Sequence, residues 1–363
     1  MTMSVLTIAA LFGLSCKEDR VATPEPVETP VAETTRWTTQ QGLPGDMVRA
    51  LTWHNGTLTG AALRGSKTVG LFSLDDNTIQ PIPSPTQART HALRSVGGQL
   101  VVGAADGLWV QADGQWRALT DAPIQALFPY QQGALALVGE RRKPTLYALK
   151  DSALAPLSAE PCVEPVTVLS GYDAGFWLVC RSAIFRGQDG LRPYGLEQSV
   201  LWRPAEDGSA PPVYLYDATV GPDGALYVVG KTSALVRVTA DGVESIASGA
   251  FATVERSEAS LFMSTFDGAV HRWSPGGGLQ QLISVEGERI DAMAIDQEER
   301  LFVVSAPRSQ PHRLERWSPP YDGPDRVWSL AVDQSLSPGV VAIHPDQQGG
   351  VLLETNRGLW HLQ

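Results

Sequence analysis

The segment Ser337–Gln363, SPGVVAIHPDQQGGVLLETNRGLWHLQ, holds three short apolar runs, VVAIH, VLLET and GLWHLQ, separated by polar and glycine turns. Each run is too short for a helix, and Asp, Gln and Gly between them mark turns, so the segment predicts a three-stranded antiparallel meander. The same triplet recurs along the chain. Its middle run appears as TLTGAALRG at Thr57, QLVVGAADG at Gln99, ALALVG at Ala134, FWLVC at Phe176, ALYVVG at Ala225, SLFMS at Ser260 and RLFVV at Arg300, before VLLET at Val351. The spacing is roughly 40 residues, the period of a propeller blade.

In the first six copies a fourth run follows: IQPIP, WRALT, LAPLS, LRPYG, VESIAS and LQQLIS. RVWSLAV is the candidate for the seventh, and the eighth has no residues left for one. The missing strand has a counterpart at the other end, where Arg36–Gln40, RWTTQ, resembles WRALT. An N-terminal segment that serves as the outer strand of the last blade covers an edge that would otherwise stay open. The expected fold is therefore all-β, a β-propeller of eight four-stranded blades closed by an N-terminal strand, with seven blades as the alternative. Two stacked sandwiches would not explain one blade short by a strand with the spare at the opposite terminus.

Composition agrees with this class. The 363-residue chain carries 35 Gly, 26 Pro and 10 Trp, and no stretch keeps a helical apolar period over several turns. Its formal net charge of -11 and the lack of a basic stripe argue against nucleic acid, the run Arg141–Lys143 reading as a solvated turn. Three regions are expected: residues 1–16 as an export signal, 17–35 as a disordered linker rich in Pro, Glu and Thr, and 36–363 as the propeller. The first sixteen residues are uncharged, with an apolar run from Val5 to Leu14 too short to span a bilayer. Ser15 before Cys16 resembles the lipobox of bacterial lipoproteins, which implies a lipid on Cys16; a plain secretory signal is the alternative. The linker would hold the body off a membrane by about 50–60 Å at roughly 3.1 Å per residue.

Gly42–Gly65, GLPGDMVRALTWHNGTLTGAALRG, resembles the two-component-regulator propeller repeat: a Gly-Leu-Pro turn, an Ala-Leu strand, a polar turn with glycine, then an apolar strand. Val341–Trp360 is a second good copy, whereas Tyr216–Gly230, YDATVGPDGALYVVG, looks more like the blades of gluconolactonase-type propellers. In the sensor family such propellers lie outside the membrane ahead of a kinase. The resemblance thus implies an extracytoplasmic recognition role.

Propellers bind along the central channel, and the innermost strands open with Arg49, His91, Gln125, Thr167, Asp217 and Asp291. These are the candidate ligand-binding residues, suited to a small polar ligand or a peptide terminus; solvating the channel mouth is their bland alternative. The six histidines show no HxH or HExxH spacing, so no metal site is assigned. Asp223 and Asp296 sit in turns, where Asp bonds its own backbone. No cofactor motif occurs, nor GxSxG, a Walker loop or a sialidase Asp box. Cys162 and Cys180 are the remaining cysteines and form a candidate disulfide. The four residues Trp109, Trp273, Trp317 and Trp360 in third strands are expected to pack one blade on its neighbour. The expected function is an exported, lipid-anchored, non-catalytic binding or scaffold module of a bacterial cell envelope, monomeric, with a protein or small polar ligand at the channel. The alternative is a metal-dependent lactonase-like hydrolase using Asp217 and Asp291.

Overall fold

The computed structural model describes residues 34–37, 42–75, 78–131, 133–140, 144–158, 165–170, 175–181, 183–187, 191–194, 214–230, 234–239, 241–285, 288–306, 312–330, 339–346 and 350–363. These contain strands and turns and no helix. The strands form eight separate four-stranded antiparallel sheets. Seven are consecutive meanders, spanning 47–82, 90–120, 124–158, 165–194, 215–248, 251–284 and 289–329. The eighth combines three strands from 340–362 with Thr34–Trp37. Eight blades, not seven, is the observed number.

The second strand of each blade explains why the sheets assemble in a ring. In Phe176–Cys180, Leu226–Gly230, Leu261–Thr265 and Val351–Thr355 every residue is buried. A strand covered on both faces reads as a continuous apolar run, not as an alternation. Successive side chains then serve opposite sides of the sheet. Trp177 and Val179 pack toward the fifth blade, while Phe176, Leu178 and Cys180 pack toward the third. Leu301 and Val303 join the cluster shared with the sixth blade, and Phe302 and Val304 the one shared with the eighth.

Eight such clusters occur, one at each seam between consecutive blades. The eighth lies between the last blade and the first, where Leu352 and Leu359 meet Leu43, Val48, Leu51, Leu58 and Phe72. The third-strand tryptophans belong to these seams: Trp109, Trp273, Trp317 and Trp360 each pack against the preceding blade. At the first seam there is no room for a side chain at Gly60, where a Cβ would lie 2.6 Å from both Leu51 Cδ2 and Phe72 Cζ.

Thr34–Trp37 pairs antiparallel with Gly358–Leu362, Thr34 opposite Leu362 and Trp37 opposite Leu359. The expected outer strand Arg36–Gln40 overlaps it at Arg36 and Trp37, and residues 38–41 lie outside the described part. Arg36 stacks its guanidinium 5.0 Å over the Trp360 indole and donates from Nη2 to the Arg357 carbonyl at 3.0 Å. The seventh outer strand is Arg326–Ser329, the start of the expected RVWSLAV run. A protein starting at residue 38 is expected to melt at least a few degrees below one starting at residue 34, because it exposes the edge of the last blade. Equal melting temperatures by calorimetry would show that this strand contributes nothing to ring stability.

Candidate functional site

Each inner strand runs in the same sense around the axis, so all eight begin at one mouth of the channel and turn back at the other. Near the first mouth every inner strand is irregular. In the second to eighth blades one residue is skipped in the ladder: His91, Gln125, Val166, Tyr216, Ala252, Asp291 and Val341. In the first blade the irregularity falls over Ala50 and Leu51, and Ala50 takes a φ of 58°. Bulges bend a strand and re-aim side chains, and here they recur where the blades converge.

The candidate residues divide accordingly. His91, Gln125 and Asp291 occupy the bulge itself, Thr167 and Asp217 the following position, and Arg49 precedes the first-blade irregularity. His91 is exposed at its surface, and the partial desolvation of its ring, then the Arg89 charge, hold its pKa below the usual imidazole range. Gln125 donates from Nε2 to the Gly139 carbonyl at 2.8 Å, and Asp291 accepts from Arg289 Nε at 2.7 Å, with His312 3.8 Å away. Arg49 has its Nε buried without a hydrogen-bond partner among the described residues. Thr167 is half-buried. The six candidates therefore form a loose ring and not one cluster.

Asp217 stands where Ala92, Ala126, Ala292 and Ala342 stand in other blades, and it behaves differently from all of them. Its Oδ2 accepts the Val254 N–H of the next blade at 3.0 Å and its Oδ1 the Ala218 N–H at 2.9 Å. Those amides belong to the inner edge of the ring, which has no further strand to pair with. Beside it lies Glu255, which sequence reasoning passed over. Burial pushes the Asp217 carboxyl up to about 6 against the pull of its two amide donors. Burial first, and then the Asp217 charge, push Glu255 up to about 7.

A second carboxylate latch closes the ring. Glu354 of the last blade, 4% exposed, accepts the Leu51 N–H at 2.8 Å on Oε1 and the Ala50 N–H at 3.1 Å on Oε2. His344 Nε2 lies 3.0 Å from Oε1. Arg94 of the second blade, half-buried, donates to the Leu93 carbonyl at 3.0 Å and feels the Glu354 charge. The channel wall thus carries Arg94, Glu354 and His344 on the side of blades eight, one and two, and Asp217 and Glu255 on the side of blades five and six. Comparing the inner strands position by position would have exposed Arg94, Glu255 and His344, because their equivalents include Phe128, Leu169 and Ala294.

At the opposite mouth the turns of blades six to eight enclose a cleft of about 940 Å³ lined by Arg256, Ser257, Glu258, Asp296, Glu298 and Asp346 among others. Much of its charge holds the turns together. Asp296 accepts the Glu298 and Arg300 N–H groups, each at 2.9 Å, and pairs with Arg300 Nε at 2.6 Å. Asp223 accepts the Ala225 N–H at 3.1 Å and Arg237 Nε at 2.7 Å, and Asp346 the Gly350 N–H and His361 Nε2, both at 2.8 Å. Among the described residues no group of three or more His, Cys, Asp and Glu is placed to hold a metal ion. Asp217 and Asp291, the carboxylates expected to serve a hydrolase, lie on different blades and are separately engaged. Cys180 is fully buried and disulfide-bonded. Cys162 and Cys16 lie outside the described residues.

A scan of protein-family profiles finds no match, and no curated protein sequence matches either. Solved structures do. A computationally designed protein, Ika8, superposes with a TM-score of 0.62 at 14% identity, over 87% of this chain and 96% of its own. A streptogramin B lyase superposes with a TM-score of 0.54 at 13% identity, over 92% of this chain and 97% of its own. The extracellular domain of a putative one-component system from B. thetaiotaomicron gives 0.54 at 15% identity over 92% of this chain. The present chain spans 40% of that last protein. At such identities the likeness shows the propeller fold.

Two predictions follow from the carboxylates. Asp217 and Glu255 have folded pKa values above their ordinary 3.8 and 4.5, so the folded protein retains protons that the unfolded chain has released. Their contribution to stability therefore falls as pH rises between about 4 and 7 and stays low above that. Glu255→Gln is expected to raise stability at pH 8 by on the order of 2 kcal/mol, after allowance for partial solvation, and to flatten this fall. Denaturant titrations at pH 5 and 8 check it, and an unchanged difference between wild type and variant at the two pH values would contradict it. Glu354→Ala leaves two ring-edge amides without an acceptor and is expected to cost about 2–4 kcal/mol. A loss below 0.5 kcal/mol in the same assay would remove the latch.

Proposed function

We propose that this chain is a non-catalytic binding module of a bacterial cell envelope, exported and held to a membrane by a lipid on Cys16, that engages a protein or a small polar ligand at its channel. The observation that carries the binding role is the channel wall, where Arg94 and Glu255 are half-buried charged groups on opposite sides of one axis, each the third residue paired after the bulge of its inner strand. Charged side chains are costly to bury; the Ala50 and Leu51 amides account for Glu354, and no hydrogen bond among the described residues accounts for Glu255. The uncharged leader, the lipobox-like Ser15-Cys16 and the Pro, Glu and Thr-rich stretch to Thr35 support export and tethering. The fold shared with the extracellular domain of a bacterial sensor is in keeping with that location. A bridge between Cys162 and Cys180 belongs to the same picture of an oxidising compartment.

Intact mass and membrane fractionation of wild type and Cys16→Ala, expressed in a bacterium with a lipoprotein pathway, test the tether. Wild type is expected to carry a diacylglyceryl-type mass and sediment with membranes, and the variant to do neither. Two soluble, unmodified proteins would overturn the anchor. Non-reducing peptide mapping of the exported protein should recover Cys162 joined to Cys180; a free Cys162 thiol would exclude the bridge. The lactonase-like reading requires a divalent cation, and a melting temperature raised in proportion to excess calcium, magnesium, manganese or zinc would restore it over the binding reading.

A further inference from the structure

We propose that the channel recognises a zwitterionic peptide lying across it, the ammonium group against Glu255, with the Asp217 charge beside it, and the carboxylate against Arg94. This rests on the channel being a binding site and adds the class of ligand and its orientation.

Placement comes from the ring. Consecutive blades share the eight seams, so the second and sixth blades, four apart, face each other across the axis. Arg94 and Glu255 take equivalent places in their inner strands. Each is the third residue paired after the bulge, Arg94 opposite Val101 and Glu255 opposite Phe262. A positive and a negative group therefore stand at the same depth on opposing walls. The positions between them on one side of the ring are Phe128, Leu169 and Thr219, which carry no charge.

The commitments of these groups differ from those of the structural charges nearby. Glu354 is satisfied by two backbone amides and His344, and Asp217 by two backbone amides. Glu255 has no hydrogen-bond partner among the described residues, and a second carboxylate beside it makes that wall receptive to a cation. Arg94 has one hydrogen bond among the described residues, to the Leu93 carbonyl, which leaves donors of its planar fork for a carboxylate. Near the first mouth the buried Arg49 Nε has no acceptor among the described residues, a further donor on the basic side. Arg94 feels the Glu354 charge, but both Glu354 oxygens are engaged by the Ala50 and Leu51 amides and by His344, so a ligand of a single charge would use one wall and leave the open contacts of the other unused. A zwitterion matches both.

The test is titration calorimetry at pH 7.5 with tri-, tetra- and penta-alanine, each free, N-acetylated or C-amidated, on wild type and Glu255→Gln. The series of lengths finds the one that spans the channel. At that length, acetylation and amidation are each expected to weaken binding at least tenfold. In Glu255→Gln the free peptide should bind at least tenfold more weakly, and acetylation should then cost less than threefold. Blocked peptides that bind as well as free ones would overturn the proposal. If no peptide binds while butylamine binds wild type and not Glu255→Gln, the ligand class is wrong and the channel remains a binding site. If neither peptides nor butylamine bind, the channel reading falls with it.

Discussion

Everything in this molecule depends on a strand that must be covered twice. A second strand such as Phe176–Cys180 presents large apolar side chains to both faces of its sheet, and a single blade can cover neither. Burying both faces needs a blade on each side, and each of those needs its own neighbour. An open row would leave two uncovered faces at its ends. Closing the row into a ring removes them, and the seam of Leu352 and Leu359 against Val48, Leu58 and Phe72 is where that happens. At about 25 cal/mol per Å² of apolar surface, these seams supply the main drive for assembly.

The same geometry creates the problem that the channel solves. Eight inner strands converge with one edge unpaired, and some of the amides on that edge are buried. Unpaired buried amides are costly. Carboxylates reaching from the preceding blade satisfy some of them, Asp217 for Val254 and Glu354 for Ala50 and Leu51. This explains acidic groups in the channel without invoking a ligand. It does not explain Glu255 or Arg94, and the difference between the two kinds of charge is what separates scaffold from candidate site. The turn aspartates make the same point at the other mouth, where Asp223, Asp296 and Asp346 each bind a backbone amide and a basic side chain of their own blade.

The ring was legible in the sequence because its cause is periodic. Doubly buried strands give unbroken apolar runs, and their regular return gives blades; the eighth blade short of a strand and the spare RWTTQ near the start were visible for the same reason. The site was less legible. Arg49, His91, Gln125 and Asp291 drew attention as polar openings of strands, yet the bulges shift register by one residue and distribute them over different positions. Asp217 was found through its polarity, and its role as a latch depends on a contact with Val254 in the next blade, a partner that no local pattern announces. Arg94 and Glu255 look like ordinary strand polars until the eight inner strands are superposed. Opposition across an axis is a property of the closed ring and has no signature within one repeat.

Native-state hydrogen exchange, resolved blade by blade, tests the closed ring most directly. Amides of the second strands in the first and last blades, Thr57–Arg64 and Val351–Thr355, are predicted to exchange only through global unfolding, with the same free energy as those of the middle blades. Exchange of either end blade through a separate, lower-energy opening would contradict the account, because it would mean that the seam between the last blade and the first does not hold.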